Sequence, residues 1–221
     1  MFYITGDVHA DLKDLESRDF GRLKKDDMVV ICGDFGILWT GDKAEQKNIR
    51  MLGRQKCHTL FVDGTHENFD LLDQYPVTEW NGGRVQVLEG NLIHLMRGEV
   101  YTIAGKKIFT FGGGESADQE IRTPHGTWWP QEMPGEEEMR RGIANLVKAD
   151  WQVDYIFTHE APVTFKDFME EKEMSLNALN IYLDYIREKC SFKKWIFGHY
   201  HRDKRVAPNC EAVFGGVVCL E

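Results

Sequence analysis

Five short apolar runs, each followed at once by a polar cluster, constrain the fold of this chain more than any other feature of its sequence. The runs are rich in β-branched and aromatic residues, and most are continuously apolar, as expected of strands buried on both faces. They cover residues 2–5, 28–32, 59–62, 155–158 and 194–197. Because ligands of open α/β sheets bind beyond the carboxyl ends of the strands, we expect the polar clusters to meet at one edge.

The middle of the chain has a different pattern. Between residues 84 and 111, short strand-like runs are separated by turn residues such as Gly82-Gly83 and Gly90-Asn91, which predicts antiparallel hairpins. A run over residues 212–219 predicts a last strand or strand pair. Together with the parallel strands, these hairpins predict a single α/β domain over residues 1–221, a four-layer α/β/β/α sandwich of two mixed β-sheets flanked by helices.

Segments between the apolar runs have helical periodicity or capping signals. Asp42, with Glu45 three residues later, resembles a capping arrangement for a helix over about residues 43–54. Another helix is expected to begin near Gly135, and Asp11 and Ser175 are candidate caps of two more. The apolar faces of the two later helices are predicted to comprise Met139, Ile143, Leu146 and Val147, and Leu176, Leu179, Leu183 and Ile186.

Residues 112–134 lose this periodicity. A loop of this length in a compact domain is uncommon and is often functional. It combines Arg122, whose side chain can bind a phosphate with two hydrogen bonds, with the stacking aromatics Trp128 and Trp129. We therefore expect a lid or a substrate-binding wall, and the alternative is a packed surface loop with buried tryptophans.

Charge and cysteine content restrict the functional class. A net charge of −9 and a pI near 5.4 argue against nonspecific nucleic-acid binding, which depends on many Lys and Arg contacts to phosphates. The five cysteines are odd in number, scattered and without a Cys-x-x-Cys pair, as is typical of reduced thiols in the cytoplasm. The chain has no apolar stretch of about 18 residues, so we expect a cytoplasmic protein outside the membrane. The acidic run 170–173 is expected to be a solvated face.

The polar clusters at the ends of the runs carry carboxylate and imidazole groups. Asp7 and His9 are two residues apart, so in an extended segment their side chains point the same way. A lone pair of this kind is weak evidence for a metal site, but further candidates follow the other runs: Asp34, Thr65, His66, Glu67, His159, His199 and His201. Such a ligand set suits Mn, Fe or Zn, and two such ions can bind a phosphoryl group and convert a shared water into hydroxide.

The clusters, in this order, resemble the motifs of the calcineurin-like metallophosphoesterase family. They read Gly6-Asp7-Val8-His9, Gly33-Asp34, Gly64-Thr65-His66-Glu67, Thr158-His159 and Gly198-His199-Tyr200-His201. The resemblance implies two divalent metal ions, most simply Mn, Fe or Zn, and hydrolysis of a small phosphoester or nucleotide by a hydroxide that bridges them. It further implies a first ion held by Asp7, His9 and His201, a bridging Asp34, and a second ion held by His159 and His199.

The resemblance also assigns roles to the third cluster. His66 would contact the phosphate and help the leaving group take a proton, and Glu67 would fix the orientation of His66. Thr65 stands where the family has an Asn whose amide oxygen binds the second ion, so we expect a weaker second site unless a neighbour such as Asn68 compensates. The Arg that follows the second motif in the protein phosphatase branch is absent, which leaves Arg122 and Arg202 as candidate substrate-binding residues.

Two functional classes remain open at the level of sequence. The first is a phosphoesterase, with monoester, diester and nucleotide hydrolysis all possible. The second is a non-catalytic metal-binding scaffold or interaction module that keeps the fold, for which Thr65 is the one favourable feature. Three histidines outside the motifs, His58, His94 and His125, are expected to be surface or structural residues. The sequence does not determine the oligomeric state.

Overall fold

The computed structural model describes residues 1–166, 168–169 and 176–221. The proposed helix cap Ser175 and the acidic run 170–173 lie outside the described residues.

A mixed sheet contains the first six strands and the last strand of the described chain. These are β1 (Phe2–Thr5), β2 (Met28–Cys32), β3 (His58–Val62), β4 (Val77–Trp80), β5 (Gly83–Glu89), β6 (Leu92–Leu95) and β13 (Val218–Leu220). The spatial order is β13-β1-β2-β3-β6-β5-β4. The four strands from β1 to β6 in this order are parallel, and β13, β5 and β4 pair antiparallel at the two sides.

The other sheet is also mixed. Its strands are β7 (Glu99–Ile103), β8 (Lys106–Phe111), β9 (Tyr155–Thr158), β10 (Lys194–Phe197), β11 (Lys204–Ala207) and β12 (Cys210–Ala212). They lie in the order β11-β12-β10-β9-β8-β7, with parallel pairing from β12 to β8 and antiparallel edges.

Helices connect the strands and cover the outer faces of both sheets. In the described ranges they are α1 (Leu12–Ser17), α2 (Lys43–Gly53), α3 (Phe69–Leu72), α4 (Gln119–Arg122), α5 (Glu136–Lys148), α6 (Val163–Lys166) and α7 (Ala178–Lys189). Short 3-10 turns cover Thr123–His125 and Pro130–Glu132. Every helix in these ranges falls short of the length and apolarity that would be needed to cross a membrane.

Three buried clusters separate the layers. Between the sheets, Phe2 and Ile4 of β1 pack with Tyr155 and Phe157 of β9. Outside the first sheet, residues of α1 and α2 such as Leu15 join a second cluster, and a third cluster lies between the other sheet, α5 and α7. The expected four-layer arrangement of two mixed sheets flanked by helices is therefore confirmed.

The helix predictions are confirmed in most details. Asp11 caps α1 and Asp42 caps α2 through their side-chain oxygens. Glu45 departs from the capping arrangement, because its carboxylate accepts hydrogen bonds from the N–H groups of Trp39, Thr40 and Gly41 in the preceding turn.

Two residues assigned to apolar helix faces are exposed. Val147 is 53% exposed because it lies on the outer side of the last turn of α5. Leu176 is also 53% exposed because it precedes α7, which begins at Ala178 after its cap Asn177.

The hairpin prediction is confirmed for β5 with β6 and for β7 with β8, both of which are antiparallel. The C-terminal run does not form a single strand or a mutual pair. It is divided between the sheets, because β12 pairs with β10 whereas β13 pairs with β1. This last pairing brings the far end of the chain beside the first strand.

Candidate metal centre

The predicted ligands converge at the carboxyl ends of neighbouring strands. Asp7 and His9 follow β1, Asp34 follows β2, and His159 follows β9. The backbone leaves the strand sharply at several of these positions, with positive φ between 46° and 73° at Asp7, His9, Asp34, His199 and His201. Left-handed backbone is uncommon outside glycine, although Asp and His tolerate it better than most residues. These turns aim the ligand side chains into a common space.

One group of ligands brings together both ends of the chain. In Asp7, His9, Asp34 and His201, one ligand atom from each residue lies within 4.8 Å of the others. The Nε2 atoms of His9 and His201 are 3.1 Å apart, and His201 Nε2 is 3.5 Å from Asp7 Oδ1. The His201 ring stacks on Phe214, which limits its orientation. The structure thus brings together the three residues that the family resemblance assigned to a first ion, with Asp34, the expected bridging residue, beside them.

A second group shares Asp34. His159 Nε2 lies 3.3 Å from Asp34 Oδ1 and 3.2 Å from His199 Nδ1. Asp7 supports this side of the site as well, since both of its carboxylate oxygens accept a hydrogen bond from the His199 N–H at 3.0 Å. Asp34 therefore lies between the two groups of histidines, as a bridging carboxylate would.

The tautomer of His159 follows from its contacts. Its Nδ1 is 2.9 Å from the carbonyl oxygen of Cys32, an acceptor, so this nitrogen carries the proton and donates. The Nε2 atom that faces Asp34 and His199 then has a free lone pair. Burial lowers the pKa of His159 to about 4, so the imidazole is neutral at physiological pH. A neutral imidazole with a lone pair aimed at a carboxylate is the form that binds a metal ion.

The pKa values of the two buried carboxylates, Asp7 and Asp34, are shifted in opposite directions. Burial, reinforced by the charge of Asp34, raises the pKa of Asp7 well above its ordinary value. Burial would also raise the pKa of Asp34, but the nearby His159 and the hydrogen bond with His66 outweigh it and hold that pKa well below the ordinary range. Asp34 is thus ionised, and two buried carboxylates at one site require positive charge nearby.

Thr65 and His66 are held against Asp34. The Oδ1 atom of Asp34 accepts hydrogen bonds from the backbone N–H groups of Thr65, at 2.6 Å, and His66, at 2.7 Å. The Thr65 hydroxyl lies 3.2 Å from both carboxylate oxygens, and His66 Nδ1 lies 3.0 Å from Oδ2. Both residues therefore join the centre through Asp34.

Glu67 does not contact His66 as the resemblance implied, which corrects that expectation. Its carboxylate accepts hydrogen bonds from the N–H groups of Phe35 and Gly36, at 2.9 and 3.2 Å. The turn after Asp34 offers two N–H donors, and the buried carboxylate of Glu67 accepts from these instead of from His66. The carboxylates next to His66 are Asp34 at Nδ1 and Asp118, 3.9 Å from Nε2. Glu67 thus stabilises the turn that carries Asp34.

Asn68 does not replace the missing asparagine ligand at position 65. Its side-chain amide donates to the Trp39 carbonyl at 2.7 Å, and its oxygen caps α3 by accepting from Leu71 N–H at 3.1 Å. Both ends of the side chain are therefore used in local structure. Thr65, through its hydroxyl, and His66, through Nδ1, are the side chains of that turn that reach Asp34.

The two candidate substrate-binding arginines have other partners. Arg122 is buried, and all three of its guanidinium nitrogens donate within the protein. One of these bonds, 3.1 Å long, goes to the Thr65 carbonyl, and another, 2.7 Å long, goes to Glu132. Arg122 therefore supports the turn of Thr65 and His66 instead of presenting a free phosphate-binding group. Arg202 is exposed and donates to the Met169 carbonyl at 3.0 Å.

The segment 112–134 is anchored along its length. Gly113 N–H donates to the Asp63 carbonyl at the end of β3, and Gly114 N–H donates to the Glu132 carbonyl. Trp129 is buried, packs edge-to-face on Trp39, and donates from Nε1 to Asp70 at 2.9 Å. These contacts hold the segment beside the metal centre, where Asp118 approaches His66.

Two acidic residues at the centre were not assigned from the sequence. Asp118 lies in the segment 112–134 and approaches His66, a contact that depends on how this segment folds back. Glu160 follows His159 directly and is fully buried, with Oε2 3.8 Å from His199 Nε2. The sequence signal for Glu160 was its position directly after the predicted ligand His159, in a stretch expected to be buried.

The histidines outside the motifs stay outside the metal centre. His94 is buried, hydrogen-bonds to Gln86 and Asp63, and stacks on Phe61. His58 lies against Trp80, and His125 is exposed. None of the three belongs to the cluster of potential ligands in the described chain.

The residues at the centre fit divalent metal ions. The Nε2 atoms of His9 and His201 lie 3.1 Å apart, and the nearest carboxylate oxygens are 3.8 Å from His9, on Asp34, and 3.5 Å from His201, on Asp7. Asp34 is buried and ionised and lies against His159, whose Nε2 offers a lone pair. Mixed imidazole and carboxylate donors are the ligands of Zn, Mn and Fe, whereas the donor set does not distinguish among these metals.

Comparison with known proteins identifies a similar fold and a matching family. No curated protein matches the chain significantly. Among solved structures, the phosphopantetheinyl hydrolase from Mycobacterium tuberculosis is similar at 13% sequence identity and a TM-score of 0.50, over 96% of this chain and 87% of that one. At this identity the likeness concerns the fold alone. The family profile of calcineurin-like phosphoesterases matches residues 1–203, and the chain therefore belongs to that family.

Proposed function

We propose that this protein is a metal-dependent hydrolase of phosphoesters with a dinuclear metal centre. The observation that carries the proposal is the convergence of two ligand groups on the shared carboxylate of Asp34. Asp7, His9 and His201 would hold the first ion, and His159 and His199 the second. Bound divalent ions would supply charge neutralisation for the phosphate and lower the pKa of a coordinated water.

His66 is the proposed proton donor to the leaving group. Burial would lower its pKa, but the hydrogen bond with Asp34 outweighs that effect, so the pKa lies above its ordinary value. The imidazole therefore keeps its proton to a higher pH than an ordinary histidine, with Nδ1 held by Asp34 and Nε2 left toward Asp118. A group in this state can stabilise developing negative charge and release a proton. Asp34, and not Glu67, would fix its orientation.

A small phosphoester or nucleotide fits a centre that acts on the phosphate, and monoester and diester hydrolysis both remain candidates. The segment 112–134 would form a wall of the substrate site, since Asp118 from this segment approaches His66. Arg202 remains a candidate contact for the substrate.

We also treat residues 1–221 as one domain, because the core between the sheets includes Phe2 near one end and Leu220 near the other. All five cysteines are free, in agreement with the proposed cytoplasmic location.

The decisive test compares the bridging ligand with a histidine outside the centre. Asp34→Asn keeps the size of the side chain but removes the charge, and we expect activity to fall by about 100-fold or more on a chromogenic phosphoester. The exposed His125→Ala variant should retain wild-type activity. Mn²⁺ should restore activity to chelator-treated wild type but not to Asp34→Asn. An Asp34→Asn protein as active as wild type would refute the proposal.

The same experiment addresses the non-catalytic alternative. A chain that binds two metal ions but hydrolyses neither a monoester nor a diester would favour the scaffold function. His66 weighs against this outcome, because a metal-binding scaffold needs the ligands but has no use for a proton donor beside them.

A further inference from the structure

Glu160 is a buried carboxylate with one unsatisfied oxygen. Its side chain is 0% exposed. The Oε1 atom accepts hydrogen bonds from Ala161 N–H at 2.8 Å and from the Tyr200 hydroxyl. The Oε2 atom is buried and has no hydrogen-bond partner among the residues that the structure describes. Buried polar atoms almost always find a partner, so an orphaned carboxylate oxygen calls for an explanation.

In the described part of the chain, two basic groups face this oxygen. Lys166 Nζ is 3.7 Å away and donates to Asn180 Oδ1 at 3.3 Å. His199 Nε2 is 3.8 Å away. Each distance exceeds that of a hydrogen bond. The imidazole therefore lies opposite the carboxylate oxygen without being bonded to it.

The positions of the ring protons explain why His199 Nε2 and Glu160 Oε2 are not hydrogen-bonded. Because His159 donates from Nδ1 to the Cys32 carbonyl, its Nε2 can act only as an acceptor when the ring is neutral. The Nδ1 atom of His199, 3.2 Å away, must then donate to it. In a neutral His199 ring this leaves a lone pair on Nε2, directed toward a carboxylate that also offers lone pairs. Two acceptors do not form a hydrogen bond.

Metal binding requires the other tautomer of His199. A ligating nitrogen must be unprotonated, so a cation held between His159 and His199 would take the Nδ1 lone pair of His199. The ring proton then belongs on Nε2. The orphaned oxygen of Glu160 lies on that side and is a suitable acceptor for it. Carboxylates that accept the second N–H of a ligating histidine are a recurrent support of metal sites.

We propose that Glu160 is a positioning residue that accepts a hydrogen bond from His199 Nε2 and thereby favours the tautomer of His199 that binds the second metal ion. This inference rests on the proposed dinuclear function. The hydrogen bond from His199 Nε2 would form when the metal ion binds. Binding of the ion would thereby give Oε2 of Glu160 its missing hydrogen-bond partner. The competing explanation is that Glu160 serves only as a structural partner for Lys166 and Tyr200.

A Gln at position 160 separates the two explanations. The donors Ala161 N–H and Tyr200 hydroxyl require an oxygen at the Oε1 position, so the amide nitrogen of Glu160→Gln would occupy the position of Oε2. That nitrogen would donate to His199 Nε2 and favour the tautomer that cannot ligate through Nδ1. We therefore expect the variant to bind the second ion about 10- to 100-fold more weakly.

The measurement is a calorimetric titration of metal-free protein with Zn²⁺, which reports both binding steps without relying on turnover. Glu99→Gln is a matched control, since Glu99 is a buried carboxylate bonded to Arg84 away from the ligands, and it should leave both Zn²⁺ affinities unchanged. Glu160→Asp provides a second variant that keeps the charge beside Lys166 but withdraws the oxygen from His199. It should also weaken the second step.

A double-mutant cycle with His199→Ala gives the decisive outcome. Once His199 is absent, Glu160→Gln should have no further effect on Zn²⁺ affinity, because its action passes through that ring. An equal loss with and without His199, or no loss in either background, would overturn the inference. In the wild-type metal-free protein, the ¹⁵N shifts of His199 should report a proton on Nδ1, and in the Zn²⁺-loaded protein a proton on Nε2.

Failure of this inference can be distinguished from failure of the proposed function. If wild type binds two Zn²⁺ ions per chain and Glu160→Gln binds both with the same affinity, only the role of Glu160 is refuted. If wild type binds fewer than two ions, the dinuclear proposal itself is wrong.

Discussion

At the scale of single residues, Asp34 determines how the two ligand groups are joined. One of its oxygens accepts two backbone hydrogen bonds from the turn at Thr65 and His66, and the other lies 3.0 Å from His66 Nδ1. A carboxylate with several donors is fixed in orientation as well as in charge. The same side chain would therefore bridge the ions and hold the proposed proton donor.

Thr65 offers a single-residue test of the second site. Its hydroxyl contacts Asp34, but it is a poorer metal ligand than an amide oxygen and reaches less far. Thr65→Asn would supply that oxygen and remove the methyl group that lies close to Gly114. We expect the second ion to bind about tenfold more tightly, or ~1.4 kcal/mol, as measured by metal titration.

A matched variant separates added ligation from altered packing. Thr65→Val has the shape of threonine but lacks the hydroxyl, so it should give no gain in affinity for the second ion. Unchanged or weaker binding in Thr65→Asn would show that the asparagine does not reach the metal.

At the scale of elements, the segment 112–134 depends on a buried ion pair. Arg122 and Glu132 are 7% and 1% exposed and lie 2.7 Å apart. Burial raises the pKa of Glu132, while the hydrogen bond from Ser116 and the charge of Arg122 offset part of this effect. Removal of Arg122 would leave a buried carboxylate without its cation.

Arg122→Met should therefore destabilise the protein in a pH-dependent manner. Breaking a buried pair from one side costs about 3 kcal/mol or more. Without Arg122 the pKa of Glu132 rises further above its value in the unfolded chain, so the folded state binds the extra proton and loses stability as pH increases. The loss in unfolding free energy, measured with urea, should be larger at pH 8 than at pH 5.

The double variant Arg122→Met with Glu132→Gln is the control for this prediction. It replaces the carboxylate by a neutral amide, so the additional loss between pH 5 and pH 8 should disappear. A loss of equal size at both pH values in Arg122→Met would mean that the buried charge is not its cause.

At the scale of the whole molecule, the proposed metal centre joins the two sheets. Asp7 and Asp34 follow strands of the sheet that contains β1, whereas His159, His199 and His201 follow strands of the sheet that contains β10. Ions bound between them would hold the carboxyl ends of the two sheets together. A ligand that binds only the folded state stabilises it by mass action.

Metal addition should therefore increase global stability. At a free Mn²⁺ concentration of about 100 times the dissociation constant, we expect a gain of about 2.7 kcal/mol in unfolding free energy for one site. Denaturant titrations with Mn²⁺ and with a chelator measure this gain. Asp34→Asn should lose most of it, and a similar gain in that variant would indicate metal binding elsewhere.

The inner strands were predictable because each is a short run of apolar residues, which by itself indicates a buried strand. Residues 28–32 and 155–158 are almost continuously apolar and form strands with those bounds. The edge strands β4 and β11 were not predicted, since most of their side chains are exposed and their sequences carry charged residues. Their pairing depends on the neighbouring strand, which the local sequence does not specify.

The ligands of the candidate site could be predicted because they follow these strands directly. The bonds of Glu67 to Phe35 and Gly36 and of Arg122 to the Thr65 carbonyl could not, because each joins residues 31 or more positions apart that are brought close only by the packing of loops. Glu67 binds the turn after Asp34, and Arg122 binds the turn of Thr65. Both side chains therefore support the backbone around the ligands.

The left-handed backbone at five proposed ligands has a consequence for the evolution and engineering of this protein. Strained conformations of this kind cost free energy and are retained when a function requires them. Glycine would relieve the strain at Asp7, His9 or His201, so directed evolution for heat resistance in metal-free medium would tend to discard the ligands. Selection for thermostability in this fold should therefore be carried out with metal-dependent turnover as a second criterion.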